Sequence, residues 1–509
     1  MLARVHTITF LGIEVRKIDI QVHVAQSGLP CFNIVGLPDK AVAESKERVR
    51  AAFSSLGLGI PSKRITINLS PANLLKEGNH FDLGIALGLL VAMQVIQQEE
   101  LDQYVTMGEL ALNGVITHVN GTLPAAIIAQ SWDMGFICPH ANGGEAAWSG
   151  NKSIIAPMTL SEIINHFTGK HLLPPPEAGY MRTSFVYPDL KDVKGQKSAK
   201  KALEIAAAGN HNMLMLGPPG SGKSMLAKRL PGLMPEMTTA ERLEASIVAS
   251  ITGELRENKT LVEKRPFRDP HCSSSMAAMV GGGRDARPGE ITLAHLGVLF
   301  LDELPEFSRF VLESLRQPIE ARQINIARVN AHVTYPCKFL LIAAMNPCKC
   351  GYFGTKTDLM CKRAPQCAQD YQERVSGPVF DRFDLQVQVS PITVFEFEGA
   401  KKDGVDDETT EVVAKRVQKA RSIQLNRYKE FGITTNSELE GEQLNQVVVL
   451  ENDAKLLLKE AITKFHLSMR GINRVMRVAR TIADLAEREH ITKFEIAEAL
   501  TYRITRLKS

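Results

Sequence analysis

The stretch MLMLGPPGSGKSMLAKRL, residues 213–230, runs from an apolar segment through a glycine loop into an amphipathic segment. It reads as strand, turn and helix. The pattern G-x-x-x-x-G-K-[ST] falls on Gly217, Gly222, Lys223 and Ser224, with Pro218, Pro219, Gly220 and Ser221 filling the loop. Glycines let backbone N–H groups turn inward around phosphates, and the following helix points its positive dipole end at them. Lys223 would supply charge to the outer phosphates, and the Ser224 hydroxyl would hold Mg²⁺. A chance glycine turn is the bland alternative, and the strand-loop-helix context argues against it.

A second site follows downstream. In GVLFLDELPEF, residues 297–307, an apolar run ends in Asp302 and Glu303. A buried parallel strand would deliver both acids at its C-terminal end, where open α/β sheets bind ligands. Asp302 is placed to organise Mg²⁺ and Glu303 to accept a proton from attacking water. FLLIAAMNPC, residues 339–348, is another apolar run, ending in Asn346. An amide there could orient the lytic water, and an ordinary Asn-Pro turn is the alternative. In VSGPVFDRFDL, Arg382 stands in a polar turn before a strand-like run, and in SMRGINRVMRVAR, Arg470 stands near a helix start. An isolated arginine is more often a surface partner of acids such as Asp381 or Asp384. One inserted at a neighbouring γ-phosphate can be worth ~10³–10⁵ in rate.

Working outward, 509 residues are too many for one core. Residues 1–168 alternate strand-like runs (IDIQVHV, RITINL) with apolar helical stretches (FDLGIALGLLVAM). Residues 169–188 contain Pro174, Pro175 and Pro176 and read as a stiff linker. Residues 189–392 repeat strand, turn and helix as in a doubly wound α/β domain. Residues 393–509 include the polar stretch EGAKKDGVDDETT, residues 398–410, read as a solvated linker, and continue as charged segments of helical period. The net charge of +4 neither demands nor excludes nucleic acid. Nothing reads as a membrane span or a signal peptide, so the chain is expected in the cytoplasm.

NPCKCGYFGTKTDLMCKRAPQC carries Cys348, Cys350, Cys361 and Cys367 as C-x-C, ten residues, then C-x₅-C. Four thiolates could close a structural zinc site, and four free thiols in a loop are the alternative. Cys31, Cys138, Cys272 and Cys337 read as isolated, buried residues.

RPFRDPHCSSSMAAMVGGGRDARPGEI, residues 265–291, holds Arg265, Arg268, Arg284 and Arg287 around three glycines. ARQINIARVNAHVTYP, residues 321–336, alternates like a β-hairpin with Arg328 and Asn330 near its turn. Flexible glycine with arginine suits contact with a nucleic-acid backbone. Ordinary surface arginine is the alternative, and Asp269, Asp285 and Glu290 in the first segment favour restraint.

Taken together, GPPGSGKS, FLDELPEF, AAMNPC, SGPVFDRFDL and SMRGINRVMRVARTIADLAE resemble the YifB/ComM family of magnesium-chelatase-like AAA+ ATPases, over essentially the whole chain. The resemblance implies an AAA+ P-loop domain with a C-terminal helical lid. It also implies ATP and Mg²⁺, with Asn346 as sensor 1, Arg382 as a trans-acting arginine finger and Arg470 as sensor 2. Gly195 and Gln196, in DVKGQKSAKK, would lie near the adenine. A finger acting in trans implies a ring, expected to be hexameric. Family members have a second histidine after Pro270–His271, where this chain has Cys272 and Ser273.

GELALNGVITHVNGTLPAAIIA resembles the Lon-protease-like fold, an α/β domain of the ribosomal protein S5 domain 2 type. Asn79, His80, Phe81 and Asp82 occupy the turn where that protease needs its serine, and no lysine occurs from Asn113 through Gly150. Without nucleophile or base, acyl transfer cannot start. His80 and Asp82 read as a satisfied helix start. The expected function is a DNA-binding helicase or branch-migration motor in recombination of incoming DNA. The rival is a chelatase-like motor that remodels a protein partner.

Overall fold

The computed structural model describes residues 2–179, 185–255, 260–283, 286–328, 331–353, 361–391 and 408–503. Two compact units emerge. The first comprises Met1–Thr183, Thr238–Glu263 and Ala327–Thr334, and the second comprises Ser184–Met237, Lys264–Ile326 and Tyr335–Ser509. The architecture is mixed α/β.

The first unit holds β1 (Leu2–Leu11), β2 (Glu14–Val24), β3 (Cys31–Val35), β4 (Arg64–Ser70), β5 (Tyr104–Thr106), β6 (Glu109–Leu110), β7 (Ile116–Thr117), β8 (Gly135–Ile137) and β9 (Ile154–Ile155). Seven strands form one sheet in the order β3-β4-β2-β1-β5-β8-β9. β1 and β2 run antiparallel from Leu2 opposite His23 to Leu11 opposite Glu14. The helix Phe81–Ala92 is apolar on every side and buried along its length, as such a sequence requires. Gly84 and Gly88 let it lie flat on the sheet: a Cβ would stand 2.5 Å from Ile20 Cδ1 or 2.6 Å from Val22 Cγ2. The helix Thr239–Thr252 also belongs to this unit. Thr238 and Glu241 cap its start reciprocally, and Gly253 ends it at φ +80°. It packs beside the helix Thr122–Ser131, where the buried Glu145 carboxylate accepts from Ser250 Oγ and from the Leu123 N–H at 3.1 Å.

The second unit holds β10 (Met213–Leu216), β11 (Phe267–Arg268), β12 (Gly281–Gly282), β13 (Arg287–Pro288), β14 (Val298–Leu301), β17 (Leu340–Met345) and β18 (Leu385–Gln388). Five of them make an all-parallel sheet, β11-β14-β17-β10-β18. β14 and β17 are buried at every residue, which explains their unbroken apolar runs. β15 (Gln323–Arg328) and β16 (Ala331–Pro336) form a two-stranded ribbon, the hairpin that the alternation predicts.

The segment after the glycine loop is less regular than the expected single helix. It divides into Lys223–Ala227 and Leu230–Leu233 because Pro231, lacking an N–H, cannot continue the first piece. Beyond residue 408 the described chain is mainly helical, in Thr410–Arg427, Gly441–Val447, Asn452–Phe465, Met469–Leu485 and Lys493–Thr501. These helices bond to Lys197–Gly209: Gln424 Nε2 donates to the Ala208 carbonyl at 3.0 Å, and Arg421 Nε to that of Ala207 at 3.1 Å.

Candidate nucleotide site

Because the five strands are parallel, their C-terminal ends share one edge. Gly217 follows β10, Asp302 follows β14 and Asn346 follows β17. Gly217 packs so tightly against the chain after β18 that a Cβ would lie 2.2 Å from the Val389 carbonyl oxygen. Gly220 and Gly222 take φ of +73° and +88°, which other residues adopt only under strain. The loop thus wraps back on itself. The buried Ser221 Oγ has no hydrogen-bond partner among the described residues.

Four of the predicted side chains meet at this edge from the tips of three strands. The Lys223 ammonium donates to the carbonyls of Gly217 at 2.8 Å and Pro218 at 2.9 Å, and to Asn346 Oδ1 at 3.2 Å. Burial pulls its pKa below the usual lysine value, against the attraction of Asp302 and Glu303. Ser224 Oγ donates to Asp302 Oδ2 at 2.7 Å. Asp302 Oδ1 accepts from the Glu303 N–H at 2.9 Å, and Glu303 itself is exposed in a left-handed conformation at φ +51°. A hydroxyl facing a carboxylate is a hard oxygen donor set that fits magnesium. Gly195 and Gln196 turn through φ of +63° and +57°, and Gln196 Nε2 donates to the Ser221 carbonyl at 3.4 Å and to that of Ser390. That turn therefore borders the glycine loop.

Arg382 and Arg470 are not brought to this edge. The Arg382 carbonyl accepts from Asn212 Nδ2 at 3.2 Å, and Asn212 precedes β10. Arg382 is therefore at the N-terminal edge of the sheet. Gly217 lies five residues further along the chain from Asn212, roughly 16 Å at strand spacing. The Arg382 side chain is buried and pairs with the exposed Glu320 at 2.7 Å. Arg470 is exposed, one turn before Arg474 on the helix Met469–Leu485.

Sequence reasoning missed the network at this second edge. Asp384 takes His211 Nδ1 at 3.3 Å and Arg474 Nε at 3.5 Å, while His211 Nε2 meets Thr481 Oγ1 at 2.7 Å. Burial raises the Asp384 carboxyl, but His211 and the nearby arginines bring it below the usual range. The available signal was positional. His211–Asn212 and Asp384 each stand just before a strand-like run, and parallel strands set such residues side by side.

The four cysteines do converge: all their sulfurs lie within 4.8 Å of one another. Zinc–sulfur bonds of about 2.3 Å put tetrahedral sulfurs about 3.8 Å apart, so the set fits zinc. Burial pushes the Cys348 thiol up to about 12. The Tyr352 N–H and the Cys348 thiol hold that of Cys350 down at about 7. Among the other cysteines, Cys138 and Cys337 are buried as expected, whereas Cys31 and Cys272 are half-buried because each sits on a surface segment.

Of the arginines singled out for nucleic acid, Arg265 donates to the Pro235 and Leu296 carbonyls, and Arg268 makes two bonds to Glu290. Both are tied into the fold. Arg287 is exposed on β13. Arg284, Asn330 and the Arg328 side chain lie outside the described residues. In the first unit, His80 Nε2 bonds the Ile8 carbonyl at 2.9 Å. Asp82 is clasped by Arg48 at 2.6 and 2.9 Å. No helix among the described residues is long and apolar enough to cross a membrane.

Three family models match: subunit ChlI of Mg-chelatase over residues 20–142, magnesium chelatase subunit ChlI over 189–396, and its C-terminal part over 407–503. The competence protein ComM of Haemophilus influenzae is 41% identical over 508 residues, covering 99% of this chain and 97% of that protein. YifB of Salmonella typhimurium is 40% identical over 504 residues, again 99% and 97%. The magnesium-chelatase 38 kDa subunit of Rhodobacter capsulatus is 25% identical over 191 residues, covering 34% of this chain and 53% of that subunit. Likeness of this extent to ComM and YifB, on a parallel sheet whose tips gather Lys223, Ser224, Asp302 and Asn346, places the chain in the YifB/ComM family.

Proposed function

We propose that this chain is an ATP-driven motor of the AAA+ kind that assembles as a ring and moves DNA. Membership in a magnesium-chelatase-like AAA+ family implies an ATPase. The observation that carries the reading is the convergence of three strand tips, with Lys223 on Asn346 and Ser224 on Asp302. In this reading the amides of Gly217–Ser224 cradle the phosphates, and Gly195 and Gln196 flank the base. Magnesium, when bound with ATP, neutralises phosphate charge, and Ser224 and Asp302 would hold it. Glu303 takes the proton of the attacking water, Asn346 orients that water, and Lys223 draws charge off the outer phosphates.

Arg382 acts on the neighbouring subunit's nucleotide, and Arg470 serves as sensor 2. The support is distance: an extended arginine reaches roughly 7 Å from its Cα, well short of the other end of the sheet. A ring, proposed to be hexameric, follows from that division. Residues 1–168 serve as a Lon-like scaffold without protease chemistry, 189–392 as the motor core and 393–509 as its helical lid. Cys348, Cys350, Cys361 and Cys367 hold a structural zinc.

The DNA role extends the likeness to a relative named for competence. Arg284, Arg287, Arg328 and Asn330 would touch the backbone of single-stranded or branched DNA without reading sequence. Branch migration of incoming DNA in the cytoplasm is the activity proposed. Likeness is fuller to the competence relative, 41% identical over 99% of this chain, than to the Rhodobacter capsulatus chelatase subunit, 25% identical over 34%, which supports DNA over a protein partner. The test is ATP hydrolysis by the purified chain with and without forked DNA, with Lys223→Ala as control. Stimulation by DNA, abolished in the variant, is expected. Turnover that ignores DNA but responds to a protein partner would favour the rival. Full turnover in Lys223→Ala would remove the site assignment.

A further inference from the structure

The cysteine loop is built against the nucleotide loop. A Cβ at Gly351, between Cys350 and Cys361, would stand 2.5 Å from Pro219 Cδ and 2.6 Å from its Cγ. The cysteine loop also begins two residues after Asn346, the acceptor of the Lys223 ammonium. Its far side returns to the same place. Gln372 donates through Nε2 to the Pro347 carbonyl at 3.0 Å, from the helix Gln366–Gln372 that carries Cys367. Pro219 and Asn346 therefore both adjoin the segment that carries the four cysteines. The loop's own apolar cluster is small: Cys348, Cys361 and Ala368, with Phe353 and Cys367 against them. Among the described residues that cluster offers little burial, so bonds from thiolates to a metal would add rigidity.

We propose that the four-cysteine centre and the nucleotide site are energetically coupled, so that zinc at the cysteines tightens nucleotide binding and nucleotide tightens zinc binding. The proposal rests on the reading of Gly217–Ser224 as an ATP site and of the cysteines as a zinc site. The two effects must be equal in size, because linkage between equilibrium affinities is reciprocal. The contact of Gly351 with Pro219 is the physical link, and Asn346 is the second.

The test uses the full chain under reductant, with a fluorescent ATP analogue titrated into zinc-loaded and zinc-stripped protein. Zinc affinity is measured by competition with a chromogenic chelator, with and without nucleotide. Stripping is expected to weaken nucleotide binding about 5-fold or more, with the same factor appearing in the zinc competition. Gly351→Ala keeps all four thiols while pressing on Pro219. Its zinc content is measured first, and at full content it should bind nucleotide more weakly and show a smaller coupling factor. Equal nucleotide affinity with and without zinc, in folded protein of unit zinc content, overturns the coupling. If stripping unfolds the chain, Gly351→Ala decides alone: unchanged nucleotide affinity and an unchanged zinc shift overturn it. A chain that takes up no zinc removes the zinc reading together with this proposal. A zinc-loaded chain that binds no nucleotide removes the ATP site itself.

Discussion

At the C-terminal edge of the five-stranded sheet, Lys223, Ser224, Asp302 and Asn346 face one another across hydrogen bonds of 2.7–3.2 Å. At the N-terminal edge of the same strands, Arg382, Asp384 and Arg474 form a separate set with His211 and Glu320. The first edge gathers a lysine, a hydroxyl, an amide and carboxylates, which is what a magnesium-bound triphosphate needs from a protein. The second is rich in guanidinium, and Arg474 Nη1 and Arg382 Nε are buried without a hydrogen-bond partner among the described residues. In the proposed reading, one edge holds a nucleotide and the other completes a site on a neighbouring copy.

Substitutions at the two edges should separate. Arg382→Ala is expected to lower turnover by ~10³–10⁵. Nucleotide affinity, read by titration of a fluorescent analogue, should be unchanged, and a parallel loss of affinity would put Arg382 in its own chain's site. Lys223→Ala should lower turnover by ~10²–10³ and weaken nucleotide binding as well. Retained affinity there would blur the contrast between the edges.

Asp384→Asn probes the fabric of the second edge. Removing a buried carboxylate that faces His211 and Arg474 should cost about 3 kcal/mol of stability at neutral pH by denaturant unfolding. The folded carboxyl titrates below its unfolded value. Its contribution is therefore complete above the unfolded pKa, near pH 4, and fades as pH falls through the folded one. The variant should lose less stability on acidification than the parent, and parallel acid limbs would contradict this. Glu320→Gln should matter least. Its partner is buried but Glu320 is 59% exposed, so the change in stability should stay under about 1 kcal/mol.

Much of the first edge was legible in the sequence because its chemistry is local. A glycine loop, two acids and an asparagine each end an apolar run, and parallel pairing brings such ends together without further information. The second edge was harder to read. Arg382 was recognisable by resemblance, but Asp384 and His211 are 173 residues apart and meet only because β10 and β18 are neighbours. Strand order is not written in either run. The grouping of Thr239–Thr252 with the N-terminal unit was likewise invisible, since its partners Leu123 and Glu145 lie more than 100 residues upstream. The cysteines are an intermediate case. Spacing suggested one cluster, and the turn at Gly351, with φ +88°, is among the features that close it.

Mixing two inactive variants tests most directly whether the two edges serve different subunits. Arg382→Ala and Glu303→Gln proteins, each inactive alone, should regain ATP hydrolysis when mixed. In a mixed ring an intact Glu303 can be met by an intact Arg382 from next door. No recovery at any ratio, with both proteins shown to co-assemble, would contradict the division of labour.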